Sequence, residues 1–179
     1  PSVPPHSLEG FYGDVHGDLI FSSSGKYLAV TAATGGISIL SSDTLTPARK
    51  IADLFQPILL SDDQAEMLAF RSDWSICKAN PLTGAVVSTK QSLPADFSVS
   101  SWAIAPNNRN LAVTGAKGQL ALIELDSILP PNLYEVDSNS VWAITYSPNS
   151  KEVWLGTQKG AIKKLVISES PLSLVEQLP

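Results

Sequence analysis

The sequence predicts an all-β protein built from four repeats of a four-stranded unit. One apolar residue marks the second strand of each repeat, and these anchors recur at spacings of 40, 43 and 42 residues: Leu28, Leu68, Leu111 and Val153. Between them, short runs of aliphatic and β-branched residues alternate with turn residues about every 8 to 12 positions, which is typical of strands. No window shows the period of about 3.6 residues that an amphipathic helix requires.

Turn chemistry supports this division into strands. The first turn of a repeat contains Ser24-Gly25, Pro106-Asn107-Asn108 or Pro148-Asn149-Ser150, and the second repeat carries one extra residue at this turn. Lys117-Gly118 and Lys159-Gly160 suit turn positions that need a positive φ. The fourth strands are the least apolar, as expected of an outer strand, and are predicted at Ala48 to Phe55, Val86 to Lys90, Asn132 to Val136 and Leu172 to Leu178.

A repeat of about 40 to 45 residues with four strands is typical of a β-propeller blade. We therefore expect about four four-stranded blades, at approximately 14–55, 56–97, 98–137 and 138–179. Residues 1–13 contain three prolines and no apolar core segment, so we interpret them as a linker or N-terminal arm. Unpaired blades leave exposed sheet edges, so we expect the four to be part of a larger or partner-completed propeller.

The third and fourth repeats resemble the blades of WD-repeat β-propellers. In that family a Val-x-x-Val-x-Phe-Ser-Pro-Asp pattern leads into a strand that ends in glycine. The segment VSSWAIAPNNRNLAVTG matches it at Val99, Trp102, Ile104, Ala105 and Pro106, and VWAITYSPNSKEVWLGTQKG matches it at Val141, Ile144, Tyr146, Ser147 and Pro148. The resemblance covers about residues 14–178. It implies that the first strands, including Leu19 and Phe21, pack blade on blade.

The chain departs from the WD-repeat pattern in two ways. No third strand ends in Trp-Asp, and no Gly-His pair precedes a first strand. Because those residues form a stabilising network in regular members, the chain resembles either a degenerate WD-repeat propeller or a related propeller family.

Composition excludes several classes of function. A net charge of −5 and a pI near 4.9 disfavour a broad phosphate-binding surface, so we expect no nucleic-acid partner. No run of apolar residues is long enough to span a bilayer as a helix, and we expect no membrane partner. The single cysteine, Cys77, excludes an intrachain disulfide and favours a cytoplasmic or nuclear protein.

No group of residues predicts catalysis, a metal or a cofactor. His16 is flanked by Asp14 and Asp18, but this cluster, even with His6, supplies fewer well-placed ligands than a stable metal site needs. Cys77 lies on a predicted third strand with no histidine nearby in sequence, which favours a core residue over a nucleophile. The acidic group Asp62, Asp63 and Glu66 lacks the glycine-containing calcium loop and is interpreted as a solvated turn.

Four residues are the candidates for partner binding: Trp74, Lys117, Trp142 and Lys159. Both tryptophans lie where strand-connecting loops are expected, and the lysines occupy equivalent turns of the third and fourth repeats. Aromatic residues at such positions often anchor partner peptides. A surface that mixes aromatic and cationic side chains suits an acidic or aromatic peptide.

We therefore predict a non-enzymatic interaction scaffold that binds an unidentified protein or peptide, as the WD-repeat resemblance implies. Two alternatives remain open. One is a propeller-class enzyme, such as a lactonase-like hydrolase or a peptidase accessory domain, whose catalytic groups lie in further blades. The other is a structural half-propeller within a large assembly, whose edges pair with other blades or with a second copy. Fold alone does not decide among these functions.

Overall fold

All regular structure described for this chain is β-sheet, as the sequence predicts. The computed structural model describes residues 19–31, 35–61, 65–169 and 172–178, and the side chains of these residues except 88–90, 169 and 176–178. None of the described segments forms a helix, so none contains a helix capable of crossing a membrane. The chain divides into two compact units, Pro1–Lys90 and Gln91–Pro179, which we call unit 1 and unit 2.

Unit 1 contains two antiparallel sheets in which strands adjacent in sequence are adjacent in space. Sheet 1 consists of β1 (Leu19–Phe21), β2 (Tyr27–Thr31), β3 (Ile37–Ser41) and β4 (Pro47–Ile51). Sheet 2 consists of β5 (Gln56–Ser61), β6 (Glu66–Phe70), β7 (Ser75–Ala79) and β8 (Val86–Ser92), whose last two residues fall in unit 2. The predicted outer strand Ala48 to Phe55 is too long, because the strand ends at Ile51 and a turn follows.

Unit 2 repeats the same arrangement. Sheet 3 consists of β9 (Val99–Ile104), β10 (Asn110–Gly115), β11 (Gln119–Glu124) and β12 (Asn132–Glu135). Sheet 4 consists of β13 (Val141–Tyr146), β14 (Glu152–Thr157), β15 (Ile162–Glu169) and β16 (Leu172–Leu178). Each repeat of the sequence therefore forms one sheet of four strands.

Short polar side chains close the first turn of the sheets in unit 2. Asn107 Oδ1 accepts the Arg109 N–H at 2.9 Å, and Asn149 Oδ1 accepts the Lys151 N–H at 3.0 Å. The next residue of each turn, Asn108 or Ser150, has a positive φ of 57° or 61°. These contacts explain why asparagine recurs in the first turn of these repeats, since its side chain accepts a hydrogen bond that stabilises the turn. The extra residue expected in the second repeat falls outside the described residues.

Each unit buries an apolar core between its two sheets. In unit 1 the core includes Ile39, Met67 and Cys77, each at most 1% exposed, and Cys77 is a free thiol on β7. In unit 2 it includes Leu120 and Leu155. This packing provides the main favourable term for folding of either unit, because apolar surface is removed from water.

The first strand of sheet 1 departs from the expected packing. Leu19 and Phe21 are 54% and 62% exposed, whereas the sequence predicts that they pack blade on blade. The strand β1 is only three residues long, and its register places Leu19 and Phe21 on the same face as Leu28 and Val30. That face is opposite the unit 1 core, which contains Ile20 as a partly buried member.

Candidate partner-binding surface

Trp74 lies within the turn between β6 and β7 rather than after it. Its own φ is +60°, and its N–H donates to the Arg71 carbonyl at 3.0 Å. The indole is half-buried and makes edge contacts with Phe70, at 5.5 Å between ring centroids, and Phe55, at 5.9 Å. Edge-to-face aromatic pairs of this kind are favourable beyond the area they bury. Part of the Trp74 side chain therefore stabilises the turn, and only the remainder can meet a partner.

The same turn is held by Asp73. Its carboxylate Oδ1 accepts the Ser75 hydroxyl at 2.6 Å and the Ser75 N–H at 2.9 Å. These hydrogen bonds, the hydroxyl first, hold the pKa of Asp73 below its ordinary value, and the Arg71 charge acts in the same direction. Asp73 stays ionised to lower pH than a free aspartate because its charged form is the hydrogen-bonded one.

A cleft of about 490 Å³ opens beside this turn in unit 1. The β2–β3 turn, the segment 52–55 and the segment 71–73 line it, which brings Gly36, Asp53, Phe55 and Arg71 together. The Arg71 Nε atom is shielded from solvent and has no acceptor among the described residues. The cleft thus combines the unpaired Nε–H of Arg71 with the carboxylates of Asp53 and Asp73 and the ring of Phe55. The sequence analysis missed Arg71, since a single arginine before a turn carries no distinguishing pattern.

Lys117 and Lys159 occupy equivalent turns of unit 2, as predicted. Both lysines are exposed, and the glycines that follow them, Gly118 and Gly160, have φ of +76° and +80°. The prediction of a positive φ at these glycines is confirmed. Whether the two lysines contact a partner stays a prediction.

One serine joins the two lysine turns. The Ser140 hydroxyl donates to the carbonyl of Ala116, the residue before Lys117. The Ser140 carbonyl accepts the N–H of Gln158, the residue before Lys159, at 2.9 Å. We call the group of Lys117, Ser140, Trp142 and Lys159 the Ser140 junction. It brings three of the four predicted residues into one part of unit 2, whereas Trp74 forms a separate aromatic cluster in unit 1.

A β-bulge exposes Trp142. In the β13–β14 ladder Val141 pairs with Thr157 and Ala143 pairs with Gly156, so Trp142 is the extra residue with no partner. Its side chain is 64% exposed. The corresponding place in sheet 3 is also bulged, and Ser100 is the extra residue there. Because bulges redirect side chains at the ends of strands, this one turns a large aromatic ring toward solvent.

The loop before Trp142 is fixed by an ion pair that the sequence analysis missed. The Lys163 ammonium lies 2.7 Å from Asp137 Oδ2, and it also donates to the Val136 carbonyl at 2.7 Å. Asn139 donates to Asp137 Oδ1 from both its N–H and its side-chain amide, each at 2.8 Å. The bond from Lys163, and then those from Asn139, hold the pKa of Asp137 well below its usual range.

These contacts provide a local network in a chain without the Trp-Asp and Gly-His pairs. Thr114 is fully buried, and its hydroxyl lies 3.2 Å from the Ser101 carbonyl and 3.3 Å from the Val141 carbonyl. Thr114 thus connects sheet 3 to the start of β13, and the Asp137–Lys163 pair connects the loop after β12 to β15. A lone threonine and a separated Asp-Lys pair form no motif, so only the structure reveals that they meet.

The described residues contain no group of three or more His, Cys, Asp or Glu side chains arranged to hold a metal ion. Glu66 lies at the start of β6, 3.5 Å from the Lys78 ammonium. The candidates His6, His16, Asp14, Asp18, Asp62 and Asp63 lie outside the described residues.

Of three comparisons with known proteins, the one with solved structures identifies the fold. No protein-family model matches the sequence, and no curated protein matches it. The structure is similar to the β-propeller domain of Cps50 (Swd1) from Myceliophteria thermophila, with a TM-score of 0.54, 14% identity, and 89% of this chain and 70% of that chain covered. It is also similar to the C-terminal WD40 domain of Sif2, with a TM-score of 0.65, 14% identity, and 84% and 45% covered.

A third similar structure is the mitotic checkpoint complex, with a TM-score of 0.70, 14% identity, and 89% of this chain and 49% of that chain covered. The chain spans about half the length of the Sif2 and checkpoint-complex chains. Taken with the four antiparallel sheets, these similarities define an all-β, WD-repeat-like propeller fold. Each of the four sheets corresponds to one blade.

Proposed function

We propose that this chain is a non-enzymatic scaffold that binds a protein or peptide partner through the Ser140 junction. The exposed ring of Trp142, projected by a bulge from a hydrogen-bonded loop, is the observation that carries the proposal. A rigid, exposed aromatic anchor loses little conformational freedom on binding and is typical of interaction hot spots. Lys117 and Lys159 add positive charge, which favours a partner segment with acidic residues.

The similar structures support a role in protein interaction, and the free thiol of Cys77 supports a reducing compartment. One of the similar structures is a complex, the mitotic checkpoint complex, and the other two are a β-propeller domain and a WD40 domain. Cys77 is buried and free, which fits a reducing compartment such as the cytoplasm or nucleus. Trp74, in unit 1, would be a separate contact site, since its ring is only half-buried.

Replacing Trp142 with alanine is expected to weaken partner binding at least about 30-fold, which corresponds to the roughly 2 kcal/mol at which a residue counts as a hot spot. Random 12-residue peptides displayed on phage would be selected on the full chain, and the most enriched peptide would be measured by calorimetry. We expect acidic and apolar residues in that peptide. The double substitution Lys117→Ser and Lys159→Ser should weaken its binding and flatten its dependence on salt.

Trp154→Ala is the matched control for this experiment. Trp154 lies on β14 of the same blade and is 40% exposed, but it is outside the Ser140 junction. Equal peptide affinity for Trp142→Ala and for the unchanged chain would overturn the proposal. Circular dichroism and thermal unfolding of both variants separate a binding defect from a folding defect.

The open face of sheet 4 favours a second role, the packing of another blade or of a second copy. The register places Ala143, Gly156 and Ile162 in one row across this face, and Thr145, Trp154 and Lys164 in the next. Ile162 is 70% exposed. Such a face is normally covered in a propeller, because each blade buries both of its surfaces.

Light scattering after gel filtration tests this second role. A dimer near twice 19.0 kDa that reverts to monomer on Ile162→Glu would show a second copy on this face. Leu82→Glu is a suitable control, since Leu82 is 49% exposed between β7 and β8 in unit 1 and lies outside sheet 4. A monomer at all concentrations would exclude a second copy of this chain as the occupant.

A further inference from the structure

A second cavity, of about 290 Å³, lies in unit 2 between the segment 94–97 and the strands β11 and β12. Its lining includes Asp96, Phe97, Gln119, Leu133 and Glu135. None of the predicted partner-binding residues lines it. The cavity therefore requires an explanation separate from the Ser140 junction.

A turn and the neighbouring Gly115 position two of the side chains that line the cavity, Phe97 and Gln119. The Phe97 N–H donates to the Pro94 carbonyl at 2.9 Å, which closes a turn and leaves Asp96 exposed at its third position. Phe97 is only 3% exposed. A side chain at Gly115 would begin 2.7 Å from Gln119 Oε1 and 3.4 Å from Phe97 Cε1. The absence of a side chain at Gly115 thus allows the Gln119 amide and the Phe97 ring to pack together.

The charged groups of this cavity are both carboxylates, and the Gln119 amide oxygen is an unpaired acceptor beside them. Gln119 and Glu135 are directly opposite each other in the β11–β12 ladder, so their side chains are neighbours on one face of the sheet. Gln119 Oε1 is shielded from solvent and accepts no hydrogen bond from any described residue. The carboxylates of Asp96 and Glu135 are exposed at the opening, and no lysine or arginine is found among the described lining residues.

The apolar lining is as important as the charge. Leu133 is 49% exposed and, two residues from Glu135 along β12, lies on the same face as Gln119 and Glu135. With Phe97 it supplies apolar surface beside the acceptors. A ligand that fits must combine an aliphatic stem with a cationic, donor-only end group, and this is the chemistry of a basic amino-acid side chain.

We propose that this cavity binds an arginine or lysine side chain of a polypeptide partner. Arginine fits best, because its planar guanidinium presents several N–H donors that can reach Gln119 Oε1 and the two carboxylates together. The methylene stem then packs against Leu133. The inference is independent of the proposed function, since no residue of the Ser140 junction contributes to it.

The probe for this proposal is N-acetyl-arginine amide, titrated into this 179-residue chain labelled with nitrogen-15. We expect chemical-shift changes at the Gln119 side-chain amide and at Gly115 that saturate in the millimolar range, and that weaken with added salt. N-acetyl-lysine amide should bind similarly or more weakly. N-acetyl-citrulline amide has the same shape without the charge, and its affinity should be at least about tenfold lower.

Charge-removing variants complete the test. The double substitution Asp96→Asn and Glu135→Gln should weaken the arginine probe at least about tenfold, whereas Asp43→Asn, at an exposed site in unit 1, should leave it unchanged. Trp142→Ala should also leave it unchanged, which distinguishes this cavity from the Ser140 junction. Equal binding of the citrulline probe, or binding that survives the double substitution, would overturn the proposal. The dispersion of the amide spectrum shows that each variant is folded.

Discussion

Gly118→Ala is expected to lower the free energy of unfolding of unit 2 by at least about 3 kcal/mol, or to prevent its folding. Gly118 has a φ of +76°, and a Cβ added there would overlap the Asp137 carbonyl oxygen and lie 2.9 Å from that of Asn139. Both neighbours are backbone, so neither can rotate away. The Gly118 carbonyl also accepts the N–H groups of Val136 and Asp137, at 2.9 and 3.2 Å.

Gly160→Ala is the matched control, because the chain repeats this turn 42 residues later. Gly160 has nearly the same φ, +80°, but a Cβ there would meet nothing within 4 Å. Its substitution should cost only about 1–2 kcal/mol, the penalty of a left-handed conformation for a residue with a side chain. Urea unfolding, followed by hydrogen exchange of peptides from unit 2, measures the difference. Similar losses for the two variants would show that the β12–β13 loop does not confine Gly118.

Asp137→Asn is expected to destabilise unit 2 at neutral pH and to remove part of its acid sensitivity. The substitution removes the charge that lies 2.7 Å from the Lys163 ammonium, and it places an amide donor near the donors of Lys163 and Asn139. The half-buried Lys163 ammonium has two described acceptors, the Asp137 carboxylate and the Val136 carbonyl. After the substitution only the Val136 carbonyl remains. Leaving a partly buried ammonium without its counter-ion is unfavourable.

The direction of the pH dependence follows from the lowered pKa of Asp137. A carboxyl whose pKa is lower in the folded state than in the unfolded state, where it is near 3.8, contributes its full stabilisation above that value. The contribution is lost as the pH falls below it, toward the folded-state pKa. The unfolding midpoint of the unchanged chain should therefore approach that of Asp137→Asn between about pH 5 and pH 2.

Unfolding midpoints in urea, measured at intervals across this pH range, test the second prediction. Asp43→Asn removes an exposed carboxylate of unit 1, and its unfolding midpoint should change with pH in the same way as that of the unchanged chain. If the unfolding midpoints of Asp137→Asn and of the unchanged chain differed by the same amount at every pH, the role assigned to the ion pair would be contradicted. Such a result would assign the loss to packing instead of charge.

The arrangement of strands could be predicted from local signals. Turn residues such as Asn107, Asn149, Gly118 and Gly160 favour their conformations through their own backbone or side chains, so they mark the same turns in sequence and in structure. The outer strand of sheet 1 was predicted too long, because the segment 52–55 has apolar residues that pack without pairing, as Leu54 does. Burial and strand pairing are different requirements that look alike in a short apolar run.

The candidate surface could be predicted only in part. The exposure of Lys117 and Lys159 follows from their place in turns, but the direction of Trp142 depends on a bulge set by the pairing of β13 with β14. The apolar residues around it would fit an ordinary strand equally well. Trp74 was predicted to follow a turn and instead forms part of it, since its contacts with Phe55 and Phe70 offset the cost of a positive φ.

The sequence by itself determined the repeat, the division into strands and the positions of the turns, because each depends on residues close together in the chain. The tertiary structure decided the Asp137–Lys163 pair, the link from Ser140 to two turns, and the acceptor-lined cavity around Gln119. These features join residues about 14 to 39 positions apart, such as Ala116 and Ser140 or Asp96 and Glu135. Their meeting depends on how sheets pack and loops cross, which no local pattern of residues specifies.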